Sequence, residues 1–158
     1  MATIKRTASR YGQFGGLSPY GNLTVLTFLL ATNATGQVID SDATAALASG
    51  DVIDLGELPE GMRLDDAQAF ITTPMTASVT GKLGFKYSDG VDVEAVPQDD
   101  DYFWAAASLA AAGRKRADGS TLVTLPKPAR LILTIGGAAN AKASDIKFIV
   151  TGELTGPN

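Results

Sequence analysis

The chain contains no histidine, no cysteine and only one tryptophan. Without cysteine there is no disulfide framework, so stability must come from a buried core or from assembly. Without histidine, a serine or threonine nucleophile would depend on lysine or a carboxylate as its base. No G-x-S-x-G elbow, S-x-x-K motif, Walker A loop or dinucleotide-binding fingerprint occurs. Gly136-Gly137-Ala138-Ala139 runs on into Asn140-Ala141-Lys142 without the spacing of a phosphate cradle. The sequence therefore predicts no catalytic residues, no metal site and no cofactor. Charged residues make up only 19% of the chain, and a net charge of −4 argues against nucleic acid as a partner. The longest apolar run, Val25 to Ala31, is interrupted by Thr27 and is too short to cross a bilayer, so no membrane partner is expected. The start, MATIKRTASRYGQFGG, has basic residues but no apolar stretch behind them, which predicts no secretory leader.

What the chain does have is strand periodicity and turn chemistry. Its 158 residues, 45% of them hydrophobic, suffice for one domain with a real core. Apolar residues alternate with lysines in Lys82-Leu83-Gly84-Phe85-Lys86-Tyr87, and Ile146, Phe148 and Val150 share one face of a later run. Strands are expected at 24–30, 51–58, 63–72, 79–87, 121–125, 129–135 and 145–154. Leu58-Pro59-Glu60-Gly61 and Ser88-Asp89-Gly90 read as turns. Leu58 falls out of phase with Ile53 and Leu55, and a bulge at Gly56 would correct the register. Asp99-Asp100-Asp101 ahead of the alanine-rich run from Tyr102 to Ala112, with Gly113 behind it, predicts one short helix, a strand being the alternative. A weaker helical option lies at 43–48. The expected fold is all-β: an antiparallel sandwich or jelly roll of seven to eight strands with one short helix, spanning residues 23–158.

Residues 1–22 differ from the rest. They carry Lys5, Arg6 and Arg10 without any acid, and Tyr11, Phe14 and Tyr20 among glycines. The stretch has anchors but no period, and reads as an extended N-terminal arm that could reach roughly 70 Å. Tyrosine, phenylalanine and arginine are favoured interface types, so Arg6, Arg10, Tyr11, Phe14 and Tyr20 are the candidate contact residues.

Other clusters have plainer readings. Asp99, Asp100 and Asp101 lie on one local segment and do not converge as catalytic acids from separate strands do. Asp40-Ser41-Asp42 and the segment from Asp89 to Asp92 lack the continuation of a calcium loop. Arg114-Lys115-Arg116 reads as a solvated or interface loop, and Tyr102, Phe103 and Trp104 as a core cluster. A hydrolase using Asp65 and Asp66 is disfavoured because strand neighbours point to opposite faces.

The run from Gly50 to Leu64, with Gly81 to Gly90 behind it, resembles the small head-associated structural proteins of tailed bacteriophages. So does the pairing of Tyr102–Gly113 with the run from Leu131 to Gly136. The resemblance implies a capsid decoration, or cement, protein. Such a subunit is made in the host cytoplasm, binds the major capsid protein on the outside of the virion, and often forms a trimer. The alternative from the binding-module class is a carbohydrate-binding or fibre-like host-recognition sandwich, which the single tryptophan weakens.

Overall fold

Alternating apolar residues give each strand one face to bury, and two sheets satisfy that demand by packing face to face. The computed structural model, whose described residues are 3–5, 23–119 and 121–154, has ten strands. These are β1 (Thr3–Lys5), β2 (Leu23–Thr32), β3 (Val52–Leu58), β4 (Met62–Thr73), β5 (Val79–Tyr87), β6 (Asp99–Ser108), β7 (Gly113–Arg116), β8 (Val123–Thr124), β9 (Ala129–Gly137) and β10 (Ser144–Leu154). One sheet has the order β1-β3-β9-β5-β6. The other runs β2-β10-β4-β7, with β8 also pairing β4. All pairings are antiparallel except β1 with β3. The protein is an all-β sandwich.

Between the sheets lie Leu26, Phe28 and Leu30 of β2, Ile53 and Leu55 of β3, Leu83 and Phe85 of β5, Leu131 and Leu133 of β9, and Phe148 of β10. Burying one such side chain stabilises the fold by about 1.5–3 kcal/mol. The register of β3 against β9 shifts between Asp54 and Gly56, so one extra residue bulges and Ile53, Leu55 and Leu58 all reach the core. Gly61, at φ +72°, turns the chain from β3 in one sheet to β4 in the other. Its N–H is held by the Leu125 carbonyl at 2.9 Å.

Seven strands lie where alternation places them, with ends differing by one or two residues. The expected helix does not form: among the described residues there is none, and 99–108 is β6. Tyr102, Phe103 and Trp104 decide this. A helix would spread three consecutive large rings around its axis, whereas the irregular edge strand directs Phe103 and Trp104 into the core, with Trp104 opposite Leu83. Arg114-Lys115-Arg116 is likewise not a loop but β7, in register with Gln68, Ala69 and Phe70 of β4. The option at 43–48 also stays non-helical. Within the stretch read as an arm, residues 3–5 pair with β3, and Ile4 is buried.

Candidate interaction surface

The contact residues named from sequence, Arg6, Arg10, Tyr11, Phe14 and Tyr20, lie outside the described residues. The roots of their segment are described. β1 runs parallel to β3 toward the Leu58–Gly61 turn. Leu23 lies opposite Glu153, which pairs with Arg63 just beyond that turn. β1 thus points toward, and β2 starts from, the same end of the sandwich.

That end also carries a groove of about 380 Å³, lined by Phe85, Val96, Pro97, Asp99, Tyr102 and Val123 among others. One wall is the loop 88–98, which is held at several points. Tyr87 accepts Gly90 N–H at its carbonyl, donates its own N–H to Gln98 Oε1 (2.9 Å), and donates its hydroxyl to the Val96 carbonyl. Asp92 Oδ1 accepts the N–H groups of Val93 and Gln98. Lys127 Nζ lies 2.8 Å from Asp89, donates to the Val91 carbonyl, and sits 4.6 Å over the Tyr87 ring. The Lys127 hydrogen bond, with help from the Val91 N–H, holds the Asp89 carboxyl below its ordinary range. The segment from Asp89 to Asp92 is thus a braced turn, as the sequence suggested.

The groove floor is fixed by Tyr102. Its hydroxyl lies 2.6 Å from the Thr121 carbonyl and 3.1 Å from that of Leu64, and accepts the Val123 N–H at 3.2 Å. Burial raises its pKa. The ring meets Phe85 and Phe103 edge-on. Two large apolar side chains stand exposed beside the groove, Val91 and Leu122, each at 62%.

Asp99 lines this groove, and Asp100 and Asp101 follow it in β6. Their oxygens lie within 4.8 Å of one another. A hard cation takes such oxygens, but the group is already engaged internally. Asp100 sits 3.6 Å from Lys82, and Asp99 accepts the Asp101 N–H. A hydrogen bond between the Asp99 and Asp101 carboxyls raises the pKa of Asp101. Their backbone lies directly against Gly84: a Cβ there would come within 2.1 Å of the Asp99 carbonyl oxygen. Only glycine permits this approach.

Asp65 and Asp66 correct another expectation. The register of β4 against β10 shifts between Thr151 and Gly152, leaving Asp65 as an extra residue, so both carboxylates turn away from the core. Asp65 is bound by Arg63 at 2.8 Å and Asp66 by Arg116 at 3.0 Å. Arg114 lies 4.6 Å over Phe70. Trp104 is 2% exposed and offers no open stacking platform.

A second exposed feature is the outer face of β2, an edge strand. Leu23, Val25 and Leu29 are 67%, 48% and 48% exposed. Such apolar edge strands are usually covered.

Sequence reasoning missed Asn140, which is fully buried at the opposite end. Its Oδ1 accepts the Thr76 N–H and hydroxyl (3.0 and 3.1 Å), and its Nδ2 donates to Thr32 Oγ1 and the Lys142 carbonyl (3.0 and 2.9 Å). Its N–H donates to the Leu47 carbonyl. A lone asparagine after a strand carries no local signal for this role.

No protein-family model matches the chain, and neither does any curated protein sequence. Its fold is similar to that of solved chains. One belongs to the capsid of Ralstonia phage GP4: TM-score 0.67 at 17% identity, covering 98% of this chain and 99% of that one. Another belongs to the cyanophage Pam1 capsid asymmetric unit: TM-score 0.56 at 15% identity, covering 93% and 94%.

Proposed function

We propose that this chain is a structural protein of a phage virion. It binds the outer surface of the assembled capsid and stabilises it as a decoration, or cement, subunit. The observation that carries this reading is the fold similarity to the GP4 capsid chain, which spans nearly the whole of both chains. A subunit of similar size and architecture throughout supports a shared kind of role more than a common domain inside a larger protein would. The exposed features fit adhesion: an apolar edge strand and an end groove with apolar rims. The mechanism is binding energy without catalysis. Each copy bridges neighbouring capsomers of the major capsid protein, and many copies add their contacts, so opening the shell must break several at once. Interfaces of roughly 1,600 Å² suffice. Arg6, Arg10, Tyr11, Phe14 and Tyr20 contact the shell or an adjacent subunit, and the bound form is a trimer.

The test is co-sedimentation of the purified chain with shells of the parent phage that lack it. Full-length protein is expected to pellet with the shells. A variant with Tyr11, Phe14 and Tyr20 changed to alanine is expected to bind at least about tenfold more weakly, the loss of a few anchor side chains. These substitutions are better than deleting residues 1–22, which would remove β1 as well. Full-length protein that stays in the supernatant ends the reading.

A further inference from the structure

The two sheets have four edges, and three of them carry features that discourage another strand from adding. β1 is only three residues long. Beyond β4, β7 and β8 are four and two residues long, and β7 reads Gly-Arg-Lys-Arg. β6 carries Asp99, Asp100 and Asp101, and its register against β5 shifts twice. Short strands, charges and bulges are the usual protections of an exposed edge. β2 has none of them. It runs ten residues, Leu23–Thr32, without a charge or a proline, and its register against β10 is unbroken.

One contact shows which backbone groups the free side of β2 presents. Past Leu30 that side is used internally: the Ala31 carbonyl accepts the Ile39 N–H at 2.9 Å, and Thr32 bridges Val38. Backbone groups alternate in direction along an antiparallel strand. Leu29, Thr27, Val25 and Leu23 therefore turn their N–H and C=O groups the same way as Ala31, away from β10. Among the described residues no strand pairs with them. Their side chains lie on the more exposed face of β2.

Such an edge takes a strand, and β2 itself is the strand that fits. In a two-fold contact an edge meets itself antiparallel, so any charge on it brings a like charge close. β2 carries no charge, unlike β1, β6 and β7. The residues just before β2 make a poor substitute. Folded back as a hairpin they would set Gly15, Gly16 and Pro19 along the edge, types that strands disfavour. Keeping the exposed faces together and clear of Ile39 centres the pairing on Leu26. Leu23 then lies opposite Leu29 of the second copy, and Val25 opposite its Thr27.

We infer that β2 of one subunit pairs antiparallel with β2 of a second copy, making one continuous sheet across a two-fold axis. The contact goes beyond the proposed function. It leaves the three-fold contacts of the proposed trimer to other surfaces and joins a subunit of one trimer to a subunit of the next. It can be tested on the purified chain without shells, so failure here and failure of shell binding are separate results.

The absence of native cysteine makes the test clean. Val25→Cys protein is mixed with Thr27→Cys protein under mild oxidation. Paired in this way the two positions lie about 5.5 Å apart between Cα atoms, within disulfide reach. The control partner is Ala111→Cys, exposed in the loop between β6 and β7. Mixed disulfide with Thr27→Cys is expected at least about tenfold faster than with the control, from the raised local concentration of paired strands. Adding Leu23→Lys and Leu29→Lys to both chains sets like charges opposite one another and should erase the advantage. Lysines on one chain and Leu23→Glu with Leu29→Glu on the other should restore it. These side chains are exposed, so the variants are expected to melt close to the parent chain. Equal rates for Thr27→Cys and the control overturn the inference. So does a folded pair of opposite charge that fails to restore linking.

Discussion

The two ends of the sandwich solve opposite problems. At the end holding loops 33–51, 74–78 and 138–143, Asn140 is buried: its side chain binds Thr76 in the second loop, Thr32 at the end of β2 and Lys142 in its own loop, and its N–H binds Leu47 in the first. Thr32 and Ser144, also buried, bond to each other at 2.8 Å beside it. At the other end, loop 88–98 is just as firmly braced, but its bracing holds apolar and acidic groups outward: Val91, Asp92, Glu94, and Leu122 across the groove. The first end spends its polar groups on closing the fold. The second also binds Asp89 and Asp92 within its loop, but leaves Val91 and Leu122 exposed. Substitutions at the first end should therefore cost stability, and those at the second should cost association.

The largest effect is expected at Asn140→Ala. It leaves the Thr76 N–H without its acceptor, leaves the Lys142 carbonyl with only the Thr32 hydroxyl as donor, and opens a cavity, for a loss of about 3–5 kcal/mol in urea unfolding. A loss below about 1 kcal/mol would show that the knot is not what closes this end.

Gly84→Ala comes next. The added methyl meets the Asp99–Asp101 backbone, so β6 must shift, at about 1–3 kcal/mol. Hydrogen exchange should speed up in β6 and leave the Asn140 end unchanged. Faster exchange at both ends would mean that the two regions are not independent.

How much of this was legible beforehand follows from the kind of signal involved. Strands β2, β3, β4, β5, β9 and β10 announce themselves because their alternation is local, and the turns at Gly61 and Gly90 because their residues preset the backbone. The bulge at Gly56 was readable from a broken phase. β6 was not, since three acids, three rings and a run of alanines satisfy a helix pattern until the pairing partner, Leu83, is known. Asp65 looked as though it faced away from Asp66 because the bulge between them is set by β10. The groove and Asn140 join residues far apart in the chain, and no period marks them. The chemistry of the basic aromatic segment was legible, while the gathering of Asp99 with Val96 and Val123 at one groove was not.

Smaller effects come from acidity. Asp89 has a depressed pKa, so the stability it contributes is present above its unfolded value and is lost as pH falls through the folded one. Asp101 has a raised pKa, so its contribution is present below the unfolded value and is lost as pH rises through the folded one. Lys127→Met should remove part of the acid-side rise of stability with pH, whereas Asp101→Asn removes an opposing contribution and should steepen that rise. Thermal melts from pH 3 to pH 7 read both. Identical profiles for the two variants would contradict the assigned causes.

The smallest change in stability is expected at Leu29→Lys on the exposed face of β2, within about 0.5 kcal/mol. The same substitution should weaken co-sedimentation with shells if that edge is covered in the particle, and leave it unchanged if the edge stays bare.

Cryo-EM of the parent virion tests the adhesion of this sandwich to a shell most directly. Density for two five-stranded sheets is expected on the outer capsid surface, seated across capsomer boundaries. A well-resolved shell with no such density outside it would contradict that role.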